Sequence, residues 1–294
     1  MVPVVYSETV DDDFAALVGL LDLDQMDELV FRGGHPPGRE NRAFGGQLIA
    51  QALVAAQHTI VDNRPPCSLH CYFVRPGLPG HPIDYRVERV KDGRSFSSRR
   101  VIAHSYGKEI FSLDASFQAP EHGLEFTPTY DMTGVAAPED CITYLDWMLS
   151  VSTERDADWA RSFRPIDNRY VNPPPDALGD PVREPQLFWL KAKGDLGDEP
   201  GIHQTVAAFA SDESISDIVL LPHGRRWIEP GVDTASLDHT MWFHRPFRAD
   251  EWLLFVQQTV ATFGGRGLAR GDIYTADGVL VSICVQDSMV RVES

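Results

Sequence analysis

Along Ser236–Phe247 the apolar side chains Leu237, Met241 and Phe243 fall at odd positions, and the polar Ser236, Asp238, Thr240 and His244 at even ones. That period of two predicts a strand with one buried face over 236–244. Arg245-Pro246 stops it, because proline brings no ladder donor. Alone, the stretch would pass for an ordinary core strand. Elsewhere the period is helical. Phe14, Leu17, Leu20 and Leu21 mark a helix over 13–21, and Leu48, Ala52, Ala55 and Ala56 mark another from Phe44-Gly45-Gly46-Gln47 to about His58. The inner face of the second helix is mostly small, so it can lie very close to a sheet.

Strands are expected over 69–74 (stopped by Arg75-Pro76-Gly77), 83–90, 95–104 and 109–117. Turns at Lys91-Asp92-Gly93-Arg94 and Tyr106-Gly107-Lys108 join them. One helix followed by an antiparallel meander is an α+β pattern. From Pro120 to about Pro185 the pattern breaks down. Prolines cluster at Pro173, Pro174, Pro175 and Pro181, and only 142–151 reads as helical, so this long stretch is read as a crossover. Then the plan repeats: a strand over 187–191, a helix over 202–211 with Ile202, Val206, Phe209 and Ala210 inward, and strands over 236–244, 252–262, 268–275 and 279–286. Phe73-Val74-Arg75-Pro76 matches Phe243-His244-Arg245-Pro246 between the halves. The expected division is an N-terminal unit over 1–120, a Pro-rich crossover over 121–186 and a C-terminal unit over 187–294.

Composition narrows the partners. The chain has 294 residues, 43% of them hydrophobic, and a net charge of -17. Such a surface repels nucleic acid and anionic membranes, so phosphate recognition requires a local cluster of arginines. Arg75, Arg94, Arg245 and Arg266 lie at turns or strand ends. No apolar run reaches membrane-spanning length, and the acidic stretch 1–14 lacks the features of a signal peptide. Cys67, Cys71, Cys141 and Cys284 form no C-x-x-C or zinc spacing, though Cys67 and Cys71 would bridge in an oxidising compartment. No metal cluster or dinucleotide loop is present, so neither metal nor cofactor is expected. The reading is a reduced, cytoplasmic protein.

A helix wrapped by an antiparallel sheet, twice in one chain, resembles the double hotdog fold. The segments Val30-Phe31-Arg32-Gly33, Phe44-Gly45-Gly46-Gln47, His70-Cys71-Tyr72-Phe73-Val74-Arg75-Pro76-Gly77 and Asp92-Gly93-Arg94-Ser95-Phe96 resemble the first half of acyl-CoA thioesterase II, the TesB-type family. Ala115-Ser116-Phe117-Gln118-Ala119-Pro120, Ala210-Ser211-Asp212, Leu221-Pro222-His223-Gly224, Asp238–Phe247 and Asp277-Gly278-Val279-Leu280-Val281 continue the resemblance in family order. Only the crossover is poorly matched. The family's catalytic aspartate, hydroxyl and glutamine fall on Asp212, Ser236 and Gln286. Serine replaces the usual bacterial threonine, with the same donor and acceptor.

The resemblance implies hydrolysis of fatty acyl-CoA to free fatty acid and CoA, by direct attack of a water held by those three residues, in a homo-oligomer of two or four chains. No G-x-S-x-G elbow offers an acyl-enzyme serine. Each residue also has a duller reading. Asp212 could be a helix-end carboxylate, Ser236 a plain strand residue, and Gln286 solvent-facing. Gly45 and Gly46 either offer N–H groups to an oxyanion or allow close helix packing. Asp238, His239 and His244 are assigned a structural role as buried polar groups, and His70 is placed with them, slightly nearer the site. Substrate contacts are expected from Gly45, Gly46, His70, Arg94 and Arg266. The competing functions are a catalytically silent acyl-CoA binding protein and a hotdog enoyl-CoA hydratase or dehydratase.

Overall fold

In a computed structural model, residues 9–36, 43–77, 80–151, 161–174 and 179–293 are described. Residues 1–8 of the acidic N-terminal stretch, part of the Gly/Pro loop after Gly33, and Pro175 lie outside them. The first half runs α1 (Thr9–Leu21), β1 (Asp24–Asp27), β2 (Val30–Gly33), α2 (Gly45–Gln57), β3 (Pro66–Phe73), β4 (Ile83–Asp92), β5 (Phe96–Ser105) and β6 (Lys108–Gln118). Then come β7 (Ile142–Thr143), α3 (Tyr144–Val151), β8 (Ile166–Tyr170), β9 (Gln186–Ala192), α4 (Ile202–Ser211) and α5 (Ile215–Ile218). The chain ends in β10 (Val232–Ser236), β11 (Asp238–Phe243), β12 (Leu253–Phe263), β13 (Arg266–Thr275) and β14 (Leu280–Val292).

All pairings are antiparallel, in one sheet ordered β1-β2-β4-β5-β6-β3-β11-β14-β13-β12-β9-β8-β7, with β10 beside β14. The sheet is two similar sheets joined edge to edge where β3 meets β11. Each half wraps its helix, α2 or α4, and the two helices pack on each other. This is the double hotdog architecture. The match of Phe73 with Phe243 makes His70 the counterpart of Thr240, and those two residues pair across the seam. The local twofold therefore passes through them.

Several expectations need correction. The inner faces of the helices are not one-sided. Every residue of α2 from Gly46 to Ala56 is buried, as is every residue of α4 from His203 to Ser211. Sheet covers one side and the partner helix the other, which is why alanine recurs all round α2. Buried Gln51 keeps its bonds, donating to Leu20 O at 2.8 Å and accepting from Tyr85 OH at 2.7 Å.

The strand expected over 236–244 is two strands. β10 pairs with β14 alone, whereas β11 pairs with both β14 and β3. The partner change occurs at Leu237, whose N–H donates to Asp287 O while its carbonyl accepts from Phe73 N, both at 2.9 Å. Asp238 Oδ1 takes the Asp287 N–H at 2.9 Å where the ladder breaks.

The segment 121–186 carries more structure than a crossover. β7 and β8 extend the second sheet beyond β9, and the β8–β9 hairpin is the counterpart of β1–β2. Residues 142–143 are strand rather than helix. All four cysteines are free. Cys67 and Cys71 lie four residues apart on one strand, about 13 Å, too far for a disulfide. No described helix is long and apolar enough to cross a membrane.

Candidate active site

Asp212 caps the C-terminal end of α4 and is 8% exposed. Its position follows from helix pairing, because the end of α4 meets the start of α2. A carbon added at Gly45 would lie 2.4 Å from Asp212 Oδ2, and one added at Gly46 would lie 2.3 Å from Phe209 O. Glycine is required at Gly46, which meets backbone, whereas at Gly45 the atoms met are the Asp212 and Phe73 side chains. Phe44 closes the approach with an edge contact on Phe209, ring centres 5.1 Å apart.

Ser236 arrives from the end of β10, immediately before the break at Leu237. Its hydroxyl donates to Asp212 Oδ1 at 3.1 Å. Gln286 arrives from β14. Along that strand Ser282, Cys284, Gln286 and Ser288 face inward and are buried, whereas Ile283 and Val285 are only partly covered. The open question about Gln286 thus resolves to the inner face. Its Nε2 donates to Ser236 Oγ at 3.0 Å and to Ser216 Oγ at 2.7 Å. Carboxylate, hydroxyl and carboxamide, far apart in the chain, form one hydrogen-bonded set. The charge of Asp212 is felt nearby: burial, then the Asp212 carboxylate, push the Cys71 thiol well above its ordinary value.

Ser211, Ser216, Ser288 and His239 surround the set, and of these the sequence singled out only His239, as a buried polar group. Ser216 on α5 lies 3.1 Å from Ser288 Oγ and 3.4 Å from Ser236 Oγ. His239, fully buried on the inner face of β11, brings Nδ1 to 2.6 Å from Gln286 Oε1. Its Nε2 lies 3.0 Å from Ser211 Oγ. Burial lowers the imidazole to about 4, with the Gln286 bond opposing part of that shift, so it is neutral at pH 7. The only signal for His239 in the sequence was a polar residue at an apolar position of the period of two.

Other expected residues lie elsewhere. His70 is exposed on the outer face of the sheet, opposite to Gln286. It contacts Thr240 Oγ1 at 3.4 Å and the Trp242 ring. Asp238 is half-buried and His244 exposed, so only His239 of the three is a buried polar group. Arg266 lies on β13 beside β14 and pairs with Asp287. Arg94 is exposed in the β4–β5 turn. Neighbouring Gly93 O and Asp92 are held by Arg64 and Arg99, and Arg99 also binds Thr59 just beyond the C-terminal end of α2. Arg94 thus lies about 20 Å, one helix length, from the Gly45 end.

The twofold shows that the set occurs once. The counterparts of Ser236 and Gln286 are Pro66 and Ala115. Arg99, 1% exposed, stands where the second half has Ala269. At the far end of α2, a carbon at Gly201 would strike the Gln57 amide rather than a carboxylate.

Solved structures similar to this chain share its architecture. A family described as acyl-CoA thioesterase matches residues 162–289, and one described as acyl-CoA thioesterase N-terminal domain matches 32–118. Human acyl-coenzyme A thioesterase 8 is 38% identical over 93% of this chain and 88% of its own. The crystal structure of the acyl-CoA thioesterase II TesB2 from Mycobacterium marinum superposes with a TM-score of 0.77 at 33% identity, covering 95% of this chain and 99% of that one. A hot dog fold protein of unknown function from Alicyclobacillus acidocaldarius gives a TM-score of 0.75 at 17% identity, over 95% and 99% of the two chains, a likeness of fold. The chain belongs to the acyl-CoA thioesterase II (TesB-type) family of thioester hydrolases.

Proposed function

We propose that the protein hydrolyses fatty acyl-CoA by direct attack of water, with Asp212, Ser236 and Gln286 as the catalytic set. The observation that carries this reading is the Ser236 hydroxyl, which donates to Asp212 Oδ1 at 3.1 Å while it accepts from Gln286 Nε2 at 3.0 Å. A nearly buried carboxylate supplies a base. The hydroxyl and carboxamide supply neutral partners that hold one water in line with a thioester carbonyl. The water oxygen bonds to the carbonyl carbon, and its proton passes to Asp212. The carbon–sulfur bond then breaks, the carboxylic acid leaves, and Asp212 returns the proton to the thiolate. The first N–H groups of α2, at Gly45 and Gly46, have no intrahelical partner and belong to the helix end that meets Asp212, which suits them to the developing oxyanion.

Arg266 is the candidate for a CoA phosphate, since it lies on the strand next to Gln286. Arg266→Ala then raises KM for acyl-CoA more than for a short thioester without the nucleotide. Free cysteines fit a reducing compartment such as the cytoplasm.

The test is thiol release from saturated acyl-CoAs of increasing length, for wild type and Asp212→Asn in parallel. The reading requires turnover by wild type and loss of kcat in the folded variant. Equal activity in both removes Asp212 from the mechanism. Heat of acyl-CoA binding without thiol release in either makes the protein a silent binder.

A further inference from the structure

His239 touches the catalytic set through Gln286, with Nδ1 2.6 Å from Oε1. We propose that it is a positioning residue, whose Nδ1–H holds the Gln286 carboxamide with its NH2 group turned toward Ser236. This rests on the reading of Asp212, Ser236 and Gln286 as the catalytic set.

The two ends of a carboxamide have nearly the same shape, so only hydrogen-bond partners decide which way it points. The hydroxyls of Ser216, Ser236 and Ser288 can each give or accept and do not choose. An ionised Asp212 can only accept. Ser236, 3.1 Å from Oδ1, directs its single proton there. Gln286, 3.0 Å away, then meets only the lone pairs of Ser236 and must present NH2. Its carbonyl end faces His239 Nδ1 at 2.6 Å, which must carry the proton. Nε2 is left to accept from the Ser211 hydroxyl at 3.0 Å, whose single proton it shares with Ala208 O, also at 3.0 Å. Ser211 precedes Asp212 in the chain, so the hydrogen bonds run in a ring that starts and ends on adjacent residues.

The opposite tautomer breaks the ring. With the proton on Nε2, a lone pair on Nδ1 would face a carbonyl at 2.6 Å, and the carboxamide would turn over. Ser236 would then meet two acceptors, Gln286 and Asp212, with one proton between them. The first half supplies an independent observation: where it has Ala115 in place of Gln286, it has Leu69 in place of His239. The imidazole is present only where there is a carboxamide to orient.

The experiment is nitrogen NMR of histidine-labelled wild type at pH 7, combined with kinetics of two variants. His239 is expected as the Nδ1–H tautomer, with that preference weakened in Asp212→Asn. His239→Phe fills the space without the donor and should lower kcat about tenfold, the equivalent of one lost hydrogen bond, with KM for acyl-CoA little changed. His239→Asn, whose amide reaches the place of Nδ1–H, should recover most of the rate. In a Gln286→Ala background, His239→Phe should cost nothing further. An Nε2–H tautomer in wild type overturns the proposal, as does a His239→Phe loss that adds in full to that of Gln286→Ala. A wild type that releases no thiol overturns the catalytic reading instead, and the tautomer still decides the orientation of Gln286.

Discussion

Gly45 lies so close to Asp212 that a single added carbon would come within 2.4 Å of Oδ2. The start of one helix thereby fixes where the carboxylate at the end of the other can sit. Gly45→Ala should fold, because alanine favours a helix, but its methyl must displace the carboxylate from Ser236. A displacement of about 1 Å at a reacting group costs about 100-fold in rate. The expected outcome is a kcat loss of that order with the melting temperature nearly unchanged.

Ser236 gives one hydrogen bond and takes another within the set. Ser236→Ala removes both, and each is worth up to about tenfold in rate, so a loss of about 10- to 100-fold in kcat is expected. Ser236→Thr keeps the oxygen and its proton, and should retain most of the activity. Parallel steady-state assays of the two variants check this. A threonine variant as slow as the alanine one would show that the hydroxyl is not what Ser236 supplies.

The periods of two and of 3.6 made much of this fold legible. β5 and β13 alternate cleanly, and α4 occupies 202–211 as its pattern required. The break at Leu237 was hidden because it arises from a change of partner strand, which the alternation of Ser236–His244 does not encode. β1, β2 and β8 are too short, or too deep in proline-rich chain, to show a period. The site was legible only through family resemblance. Ser236 lies 24 residues from Asp212 and 50 from Gln286, and such separations carry no chemical signal. Ser211, Ser216 and Ser288 look like any other serine until the strands and α5 bring them together.

His239 also predicts a pH dependence of stability. Burial holds it at about 4 in the folded chain, against an ordinary 6.5 when unfolded. Between those values the unfolded chain binds the extra proton, so stability is full above pH 6.5 and is lost as pH falls toward 4, by about 3 kcal/mol in all. Asp217 works in the opposite sense, since burial raises its carboxyl to about 7 and the folded chain keeps that proton as pH falls. The readout is therefore a difference. Urea unfolding of wild type and His239→Phe, at steps from pH 7 to pH 4, should show wild type losing stability relative to the variant. Parallel curves would mean that His239 is not buried neutral.

Arg99 is the clearest mark of the half that lacks counterparts of Ser236 and Gln286. Its guanidinium donates to Thr59 Oγ1 at 2.7 Å, to Thr59 O at 2.9 Å, to Lys91 O at 3.0 Å and to Asp92 Oδ1 at 2.6 Å. Across the twofold, the small Ala269 stands beside Gln286. A large cation thus stands in the first half where the second has a small side chain, and its neighbour there is Ala115 rather than a carboxamide. Arg99→Met should destabilise the protein by about 3 kcal/mol, because several buried acceptors lose their donor at once. It should leave kcat per folded molecule unchanged, because the reacting groups lie at the other end of α2. Denaturant unfolding and thiol release on the same sample separate the two effects. A fall in kcat without a fall in stability would mean that the far end of α2, around Arg99, takes part in the chemistry.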